Sequence, residues 1–332
     1  MNGDIQQFVD EMHRLGYPDA DIKGALAEAG WSREQIAQAF DDAIIHVDGL
    51  KKYFKNVKAV DGVSFMIERG EIFGFLGPNG AGKTTTIRCM MDFLRPDAGR
   101  IRILRRDSRT HSVALKAEIG YLPGSVRLYD HWTGQEHVDY AASFVRRPHR
   151  AMYLAERLKL DLANKTKELS SGNRQKLGIV LALMCEPQVL IWDEPTLALD
   201  PLLQQEVYAL LKEAAGNGAT ILMSSHNLAE VERVCSRVAI IKSGKIIAVD
   251  EIKNLRRKNM YTVLVHFADA VPARGELASD AVRILDEVEQ GFLIKVSGDI
   301  NEFLKAVARY RVADITIEKA SLEDVFLEFY KA

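Results

Sequence analysis

The spacing of apolar positions changes twice along this chain. Near the start, Ile5, Phe8, Val9, Met12 and Leu15 recur at helical spacing, and Gly16 ends the run. A repeat follows at an offset of 14 residues. Gly16-Tyr17 with Ile22, Ala25 and Leu26 matches Gly30-Trp31 with Ile36, Ala39 and Phe40. Each copy is a glycine cap, an aromatic and a short amphipathic helix. Ser32 with Gln35 forms a capping box for the third helix. The pattern predicts a three-helix module over 1–42, its small core filled by Tyr17 and Trp31. From Ala43 short apolar strands alternate with helices. Strands are expected at 44–54, 59–67 and 71–76, a helix from Gly82, and further strands ending at Leu122, Asp193, Ser224 and Lys242. Ser243-Gly244 turns the chain into a final strand at 245–249. This alternation predicts an α/β unit over 43–250, built on a mainly parallel sheet covered by helices. Residues 251–259, with Lys253, Arg256, Arg257 and Lys258, read as a solvated linker. Beyond it, strands at 261–267, 292–296 and 315–317 and a helix at 300–310 predict a small α+β domain over 260–332. A last helix there is capped by Ser321 and Asp324 and bears Leu322, Val325, Phe326 and Phe329.

Composition narrows the class. With 47% hydrophobic and 27% charged residues in 332, the chain is neither disordered nor fibrous and has room for two or three domains. Its longest apolar stretch, 177–185, stops at Glu186-Pro187, short of the ~18–20 residues a membrane span needs. Met1 is not followed by a basic and then an apolar region, so no secretory signal is expected. Cys89, Cys185 and Cys235 lie far apart, which fits a reduced, cytoplasmic protein without a disulfide framework or zinc site. Charge is uneven. Residues 1–42 hold nine acidic and three basic residues, a net of −6, which leaves +4 on the rest of a chain whose total is −2. The first module is therefore separate in charge as well as in pattern, and the whole chain has no pull toward nucleic acid.

The chemistry lies in the middle unit. Gly77-Pro78-Asn79-Gly80-Ala81-Gly82-Lys83-Thr84 fits the G-x-x-x-x-G-K-[ST] phosphate loop and sits between an apolar strand and a helix. Its glycines let backbone N–H groups face phosphate oxygens, and the helix N-terminus adds a favourable dipole. Lys83 is placed to reach the β- and γ-phosphates, Thr84 to ligate Mg²⁺ and Thr85 to donate to phosphate. The run Val189-Leu190-Ile191-Trp192 ends in Asp193 and Glu194. Two acids there suit one carboxylate to a metal ion and the next to an attacking water. Leu169-Ser170-Ser171-Gly172-Asn173 opens an apolar helix and offers a second anion site. Thr133 with Glu136 forms another capping box, and Arg146, Arg147, His149 and Arg150 a basic cluster.

In this order the motifs resemble the ATP-binding subunits of ABC transporters. The phosphate loop is similar to Walker A, and Leu169–Asn173 to the signature usually written L-S-G-G-Q. Asp193 and Glu194 resemble Walker B and its catalytic glutamate. Leu197-Ala198-Leu199-Asp200 resembles the D-loop, and Ser224-Ser225-His226 the switch-histidine loop. The resemblance spans about 44–250. It implies a P-loop ABC cassette with a helical subdomain at about 126–180 facing the transporter. It implies ATP and Mg²⁺, a homodimer or paired cassette joined head to tail, and an integral membrane permease as partner. It further implies that Glu194 and His226 are catalytic and that Thr84 and Asp193 hold the metal. Ser170, Ser171, Gly172, Asn173 and Asp200 would complete the opposite site, and Phe54 would stack on adenine with Tyr53 as fallback. The tail and the single cassette resemble drug- and antibiotic-exporter ATPases, a cytoplasmic subunit peripheral on the inner membrane face. Three residues depart from the family pattern. Gly124 stands where a glutamine is usual, Asn173 replaces the signature glutamine, and Leu197 replaces the D-loop serine. The alternative is a soluble ABC-type ATPase with a non-transport partner. One Walker A without sustained heptads lacks the tandem cassettes or coiled coils of such proteins. The first module has an unknown partner; Leu15, Gly16, Tyr17, Ala25 and Leu26 loosely resemble ubiquitin-associated-type bundles.

Overall fold

The computed structural model describes residues 5, 8, 9, 12, 17, 19–32, 43–145, 148–257, 260–277, 279 and 281–319. The expected third helix with Gln35, the terminal helix at 321–330, Arg146, Arg147 and Lys258 lie outside these residues.

In the N-terminal stretch, helix α1 (Asp19–Glu28) buries Ile22 and Leu26, one turn apart, against Val9. Trp31 packs on this small cluster. Tyr17, expected inside, is half exposed: it stands in the connection ahead of α1, and Ile22 and Leu26 already fill the helix's inner face.

Strands β1 (Ala43–Phe54) and β2 (Val57–Glu68) form an antiparallel pair. The short strand β3 (Ile72–Leu76) follows and is buried throughout. Next come β4 (Ala98–Ile103) and β5 (Arg106–Asp107), then β6 (Ile119–Leu122), β7 (Val189–Asp193), β8 (Thr220–Ser225), β9 (Arg237–Lys242) and β10 (Lys245–Glu251). They divide between two sheets. A four-stranded antiparallel sheet has the order β2-β1-β4-β5. A six-stranded sheet has the order β10-β9-β3-β8-β7-β6, parallel except for the β9–β10 hairpin. The first strands therefore do not join the parallel sheet as the alternation suggested. Along β2, buried Val63, Phe65 and Ile67 alternate with exposed Ser64, Met66 and Glu68, which suits a sheet covered on one side only. The continuously buried runs of β3, β7 and β8 suit strands covered on both.

Helix α2 (Lys83–Met90) packs between the two sheets with Phe65, Phe73, Phe75 and Ile87 in one core; Phe65 stacks on Phe73 at 5.6 Å. After the single turn α3 (Ser112–Lys116), helices α4 (Gly134–Val145), α5 (Ala151–Arg157) and α6 (Ser171–Leu183) build the helical insertion. The capping box forms as expected: Thr133 N–H donates to Glu136 Oε2 at 2.6 Å, and Glu136 N–H to Thr133 Oγ1 at 3.1 Å. Helices α7 (Pro201–Gly216) and α8 (Leu228–Val234) cover the sheet's other face, sharing a core of Leu190, Trp192, Val207, Leu211 and Met223 with α6.

The expected linker is regular over most of its described residues. Residues Ile252–Arg257 form helix α9, and Ile252 is buried in the core below the sheet. The last domain is the antiparallel sheet β12-β13-β11-β14, made of β11 (Met260–Phe267), β12 (Val282–Val288), β13 (Gly291–Ser297) and β14 (Val312–Lys319). It adds the short helix α10 (Arg274–Leu277) and α11 (Ile300–Val307), with Val265, Phe292, Ile294 and Phe303 at its core. Among the described residues no helix is long and apolar enough to cross a membrane.

Candidate functional site

Parallel register brings the chemistry together. Leu76 lies beside Ser225 and Asp193 beside Ser224, so β3, β7 and β8 end at one level. Ligands bind open parallel sheets at these carboxyl ends. The phosphate loop leaves β3 there and is tied down by Gly77 N–H to Ser225 O at 3.2 Å and Gly244 N–H to Ala81 O at 2.9 Å. Gly82 has φ of 111°, and a Cβ there would lie 2.4 Å from Ala59 O. Only glycine fits that conformation and that approach of β2.

Lys83 is buried. Its Nζ donates to Gly77 O at 2.6 Å and Pro78 O at 3.3 Å, and lies 3.2 Å from Glu194 Oε1. Thr84 Oγ1 donates to Asp193 Oδ2 at 2.7 Å, and Ser224 Oγ donates to Asp193 Oδ1 at 2.5 Å. Both oxygens of this buried carboxylate are thus fixed. Glu194 follows β7 with φ of 52°, a left-handed conformation unfavourable by about 1–3 kcal/mol for a non-glycine residue. Its N–H is held by Ser224 Oγ and O at 3.1 and 3.2 Å. His226 Nδ1 meets Glu194 Oε2 at 2.8 Å. Glu194 Oε1 faces Lys83 at ion-pair distance but accepts no hydrogen bond from the described residues, so an acceptor position stays open. A cleft of about 370 Å³ opens here, lined by Pro78, Asn79, Gly80, Gly82, Lys83, Thr84, Thr85 and Glu194, with Lys58 and Ser243 on the rim. Thr84 and Asp193 offer the hard oxygen donors that suit Mg²⁺, an ion that takes few protein ligands and fills the rest of its octahedron with water and phosphate.

The remaining candidates lie outside the lining of this cleft. Ser170 caps α6, accepting from Asn173 N–H at 3.2 Å. A Cβ on Gly172 would stand 2.9 Å from Ala198 O, so the signature and the D-loop touch within one chain. The Asp200 carboxylate is occupied as the cap of α7, accepting from Leu202 and Leu203 N–H at 3.0 Å. Phe54 is exposed, with Lys52 Nζ 5.5 Å from its ring centre. Tyr53 is committed elsewhere: its hydroxyl donates to Asp61 Oδ1 at 2.7 Å, a bond that raises the phenol pKa and lowers the carboxyl. Sequence reasoning missed a supporting layer. Glu230, buried, accepts from Ser225 Oγ at 2.7 Å and Thr196 Oγ1 at 2.5 Å, and Gln175 donates to Pro195 O at 3.0 Å. A glutamate in the first turn of a helix just after an apolar strand was the available signal.

The model of the ABC transporter family matches residues 60–197, and that of the ATP-binding protein DrrA1-3-like C-terminal domain matches 248–330. The daunorubicin resistance ATP-binding protein DrrA3 of Streptomyces coeruleorubidus is 32% identical over 302 residues, covering 86% of this chain and 95% of that protein. The chain belongs to the ATP-binding proteins of ABC transporters. Nod factor export ATP-binding protein I of Paraburkholderia xenovorans is likewise 32% identical over 296 residues, at 86% and 96% coverage. A solved ATP-binding subunit of an ABC transporter superposes with a TM-score of 0.60 at 31% identity, over 64% of this chain and 92% of that one. As a member of this family the chain is an ATP-hydrolysing, nucleotide-binding subunit of an ABC transporter.

Proposed function

We propose that this cassette binds ATP in the cleft at the ends of β3, β7 and β8 and drives a separate membrane permease, with export as the direction. The observation that carries the reading is the convergence of Lys83, Thr84, Asp193, Glu194 and His226 through contacts of 2.7 to 3.2 Å. The loop of Gly77, Pro78, Asn79, Gly80, Ala81 and Gly82 wraps the phosphates, and Lys83 leaves Glu194 to neutralise the β- and γ-oxygens. Thr85 donates to phosphate. Thr84 and Asp193 hold Mg²⁺, which when bound withdraws charge from the phosphates. Glu194, freed from Lys83 and still oriented by Ser224, aligns the attacking water through its open acceptor position. His226, half exposed, turns from Glu194 to the γ-phosphate. Phe54 offers the free aromatic face for adenine.

Ser170, Ser171, Gly172 and Asn173 serve a second copy. Their helix start wants an anion and does not line this chain's own cleft, which suits a head-to-tail dimer. Leu197 in the D-loop and Leu202 just after it, 51% and 81% exposed, suit burial in that interface. Asp200 acts there by holding the start of α7 rather than by touching nucleotide. The helical insertion carries Tyr129, Tyr140 and Phe144 exposed in one aromatic cluster with Trp132, a surface that suits a permease. The reading places 1–42, 43–250 and 260–332 as three units, with 251–259 as the join, peripheral on the inner membrane face. The names of the drug-resistance and Nod-factor relatives support the exporter assignment.

The test is a pair of variants. Glu194→Gln is expected to keep ATP binding, lower steady-state hydrolysis by about 10²-fold or more, and accumulate a closed dimer. Lys83→Ala is expected to lose nucleotide binding. Wild-type turnover in Glu194→Gln would overturn the assignment. Co-purification of tagged chain with a polytopic membrane protein tests the partner.

A further inference from the structure

The acidic stretch ahead of the cassette joins it beside a surface of opposite charge. Residues 98–111, the β4–β5 hairpin and its exit, hold five arginines and one aspartate. Arg100, Arg106 and Arg109 are exposed, and among the described residues none has a carboxylate within ion-pair distance. The aspartate, Asp107, stands across from Arg102 and accepts from the N–H groups of Arg109 and Thr110 at 3.0 Å. Charge on this hairpin is therefore left for something else to neutralise.

Its shape is also held against preference. Leu104 and Arg105 form the tip with φ of 49° and 62°. That is the turn in which asparagine and glycine are favoured, because both central residues are left-handed. Two side-chain-bearing residues persist there only where surroundings fix them. Leu104 is fixed by packing on the core and by its N–H to Ile44 O at 2.8 Å. Arg102 lies 2.7 Å from His46 Nδ1, and both Arg102 and Arg105 have further partners.

The position of the hairpin follows from register. Ile45 pairs with Ile103 and His46 with Arg102, so the chain enters β1 beside the arginines. Asp41 and Asp42 immediately precede Ala43. From Ser32 to Ala43 the backbone can span at most about 40 Å. Helix α1 spends its apolar side on Ile22 and Leu26 and leaves Asp21 and Glu28 exposed. A charged partner on so short a tether is present at an effective concentration of order millimolar. We propose that residues 1–42 dock through their acidic residues on the exposed arginines of the β4–β5 hairpin and its exit, an intramolecular contact apart from the nucleotide cleft. The partner of the extra module is then first of all the cassette itself.

Hydrogen exchange on the full chain tests this without substitution. In low salt the amides of residues 105–112 are expected to exchange at least about fivefold more slowly in the full chain than after deletion of 1–42. Raising NaCl to about 1 M, where the screening length is ~3 Å, should remove most of the difference. Arg100→Glu/Arg106→Glu/Arg109→Glu should raise exchange over residues 19–32, and adding Asp21→Lys/Glu28→Lys/Asp41→Lys should restore protection. ATP hydrolysis and melting temperature of each variant confirm a folded cassette. If the triple reversal fails to fold, Arg109→Glu alone and the salt series carry the test. Equal exchange at 105–112 with and without 1–42, or protection that 1 M NaCl leaves intact, would overturn the proposal. So would a charge swap that fails to rescue.

Discussion

Gly124 occupies the place of a residue that the family usually spends on glutamine. Its φ is not in the left-handed region, so the backbone itself admits a side chain. What limits the site is space. A Cβ would meet Asp193 Oδ2 at 3.2 Å and Cγ at 3.4 Å. Asp193 is held by Thr84 and Ser224, so accommodation requires a shift of a few tenths of an ångström in the carboxylate proposed to hold the metal. Gly124→Gln is therefore expected to fold, with a melting temperature within about 3 °C of wild type, and to keep ATPase activity. The Mg²⁺ concentration for half-maximal rate should change, since a new amide stands beside Asp193. A melting point lowered by more than about 10 °C would show that the contact cannot relax. At this scale the phosphate loop, Asp193, Glu194 and His226 were legible, because their chemistry demands particular residues at particular spacings. Gln175, Glu230 and the bond from Ser224 to Asp193 were not, because each joins residues some 20 to 34 positions apart or braces a neighbour. Only the fold creates those meetings.

Between elements, α5 is clamped to α7 by charge. Arg150 donates to Glu186 at 2.8 Å and to Glu213 at 2.7 Å, while Arg157 donates to Glu206 and to the other oxygen of Glu213. The Arg150 bond first, and the Arg157 bond second, hold the Glu213 carboxyl below its ordinary value. A carboxylate with a depressed folded pKa stabilises the fold fully above its unfolded value near 4.5, and loses that contribution as pH falls through the folded value. Glu213 is about one-third exposed, so screening limits the gain; Glu213→Gln is expected to cost about 1 kcal/mol at neutral pH, a shift of a few degrees. Melts at about pH 7 and pH 3 should show the gap between wild type and variant closing on acidification. A gap that stays constant would mean the clamp acts by shape rather than charge. Elements were legible where the period was clean. Strand β12 was missed because its solvent-side run Leu285-Asp286-Glu287 breaks the alternation at a bulge. The separation of β1 and β2 into their own sheet depends on pairing with β4, which no local pattern reveals.

For the whole molecule, charge and period place boundaries near 42 and 260, whereas the burial of Ile252 was hidden inside a stretch that looks solvated. Deleting 1–42 is expected to leave ATP hydrolysis within a few fold, because none of the described residues of that stretch lines the nucleotide cleft. The pairing of cassettes sets the sharper test. Ser170 caps α6 away from its own chain's cleft, and Lys83 lies at the base of that cleft. In a head-to-tail pair, each ATP meets Lys83 of one copy and Ser170 of the other. Lys83→Ala removes the phosphate charge, and Ser170→Arg removes the cap and fills the second anion site; each homodimer is expected to be inactive. A mixed dimer then holds one site with both lesions and one with neither. Mixing should recover part of the activity if one intact site suffices, up to about half of wild type once dimers that pair like with like are discounted by native mass spectrometry. The cap alone is worth about 1 kcal/mol of helix stability, so a melting point lowered by only a few degrees in Ser170→Arg dimers separates a binding defect from unfolding. If every site were built within one chain, each would keep its lesion and mixing would restore nothing. Zero recovery with mixed dimers present would therefore count against the shared site, or show that one intact site cannot fire without the other.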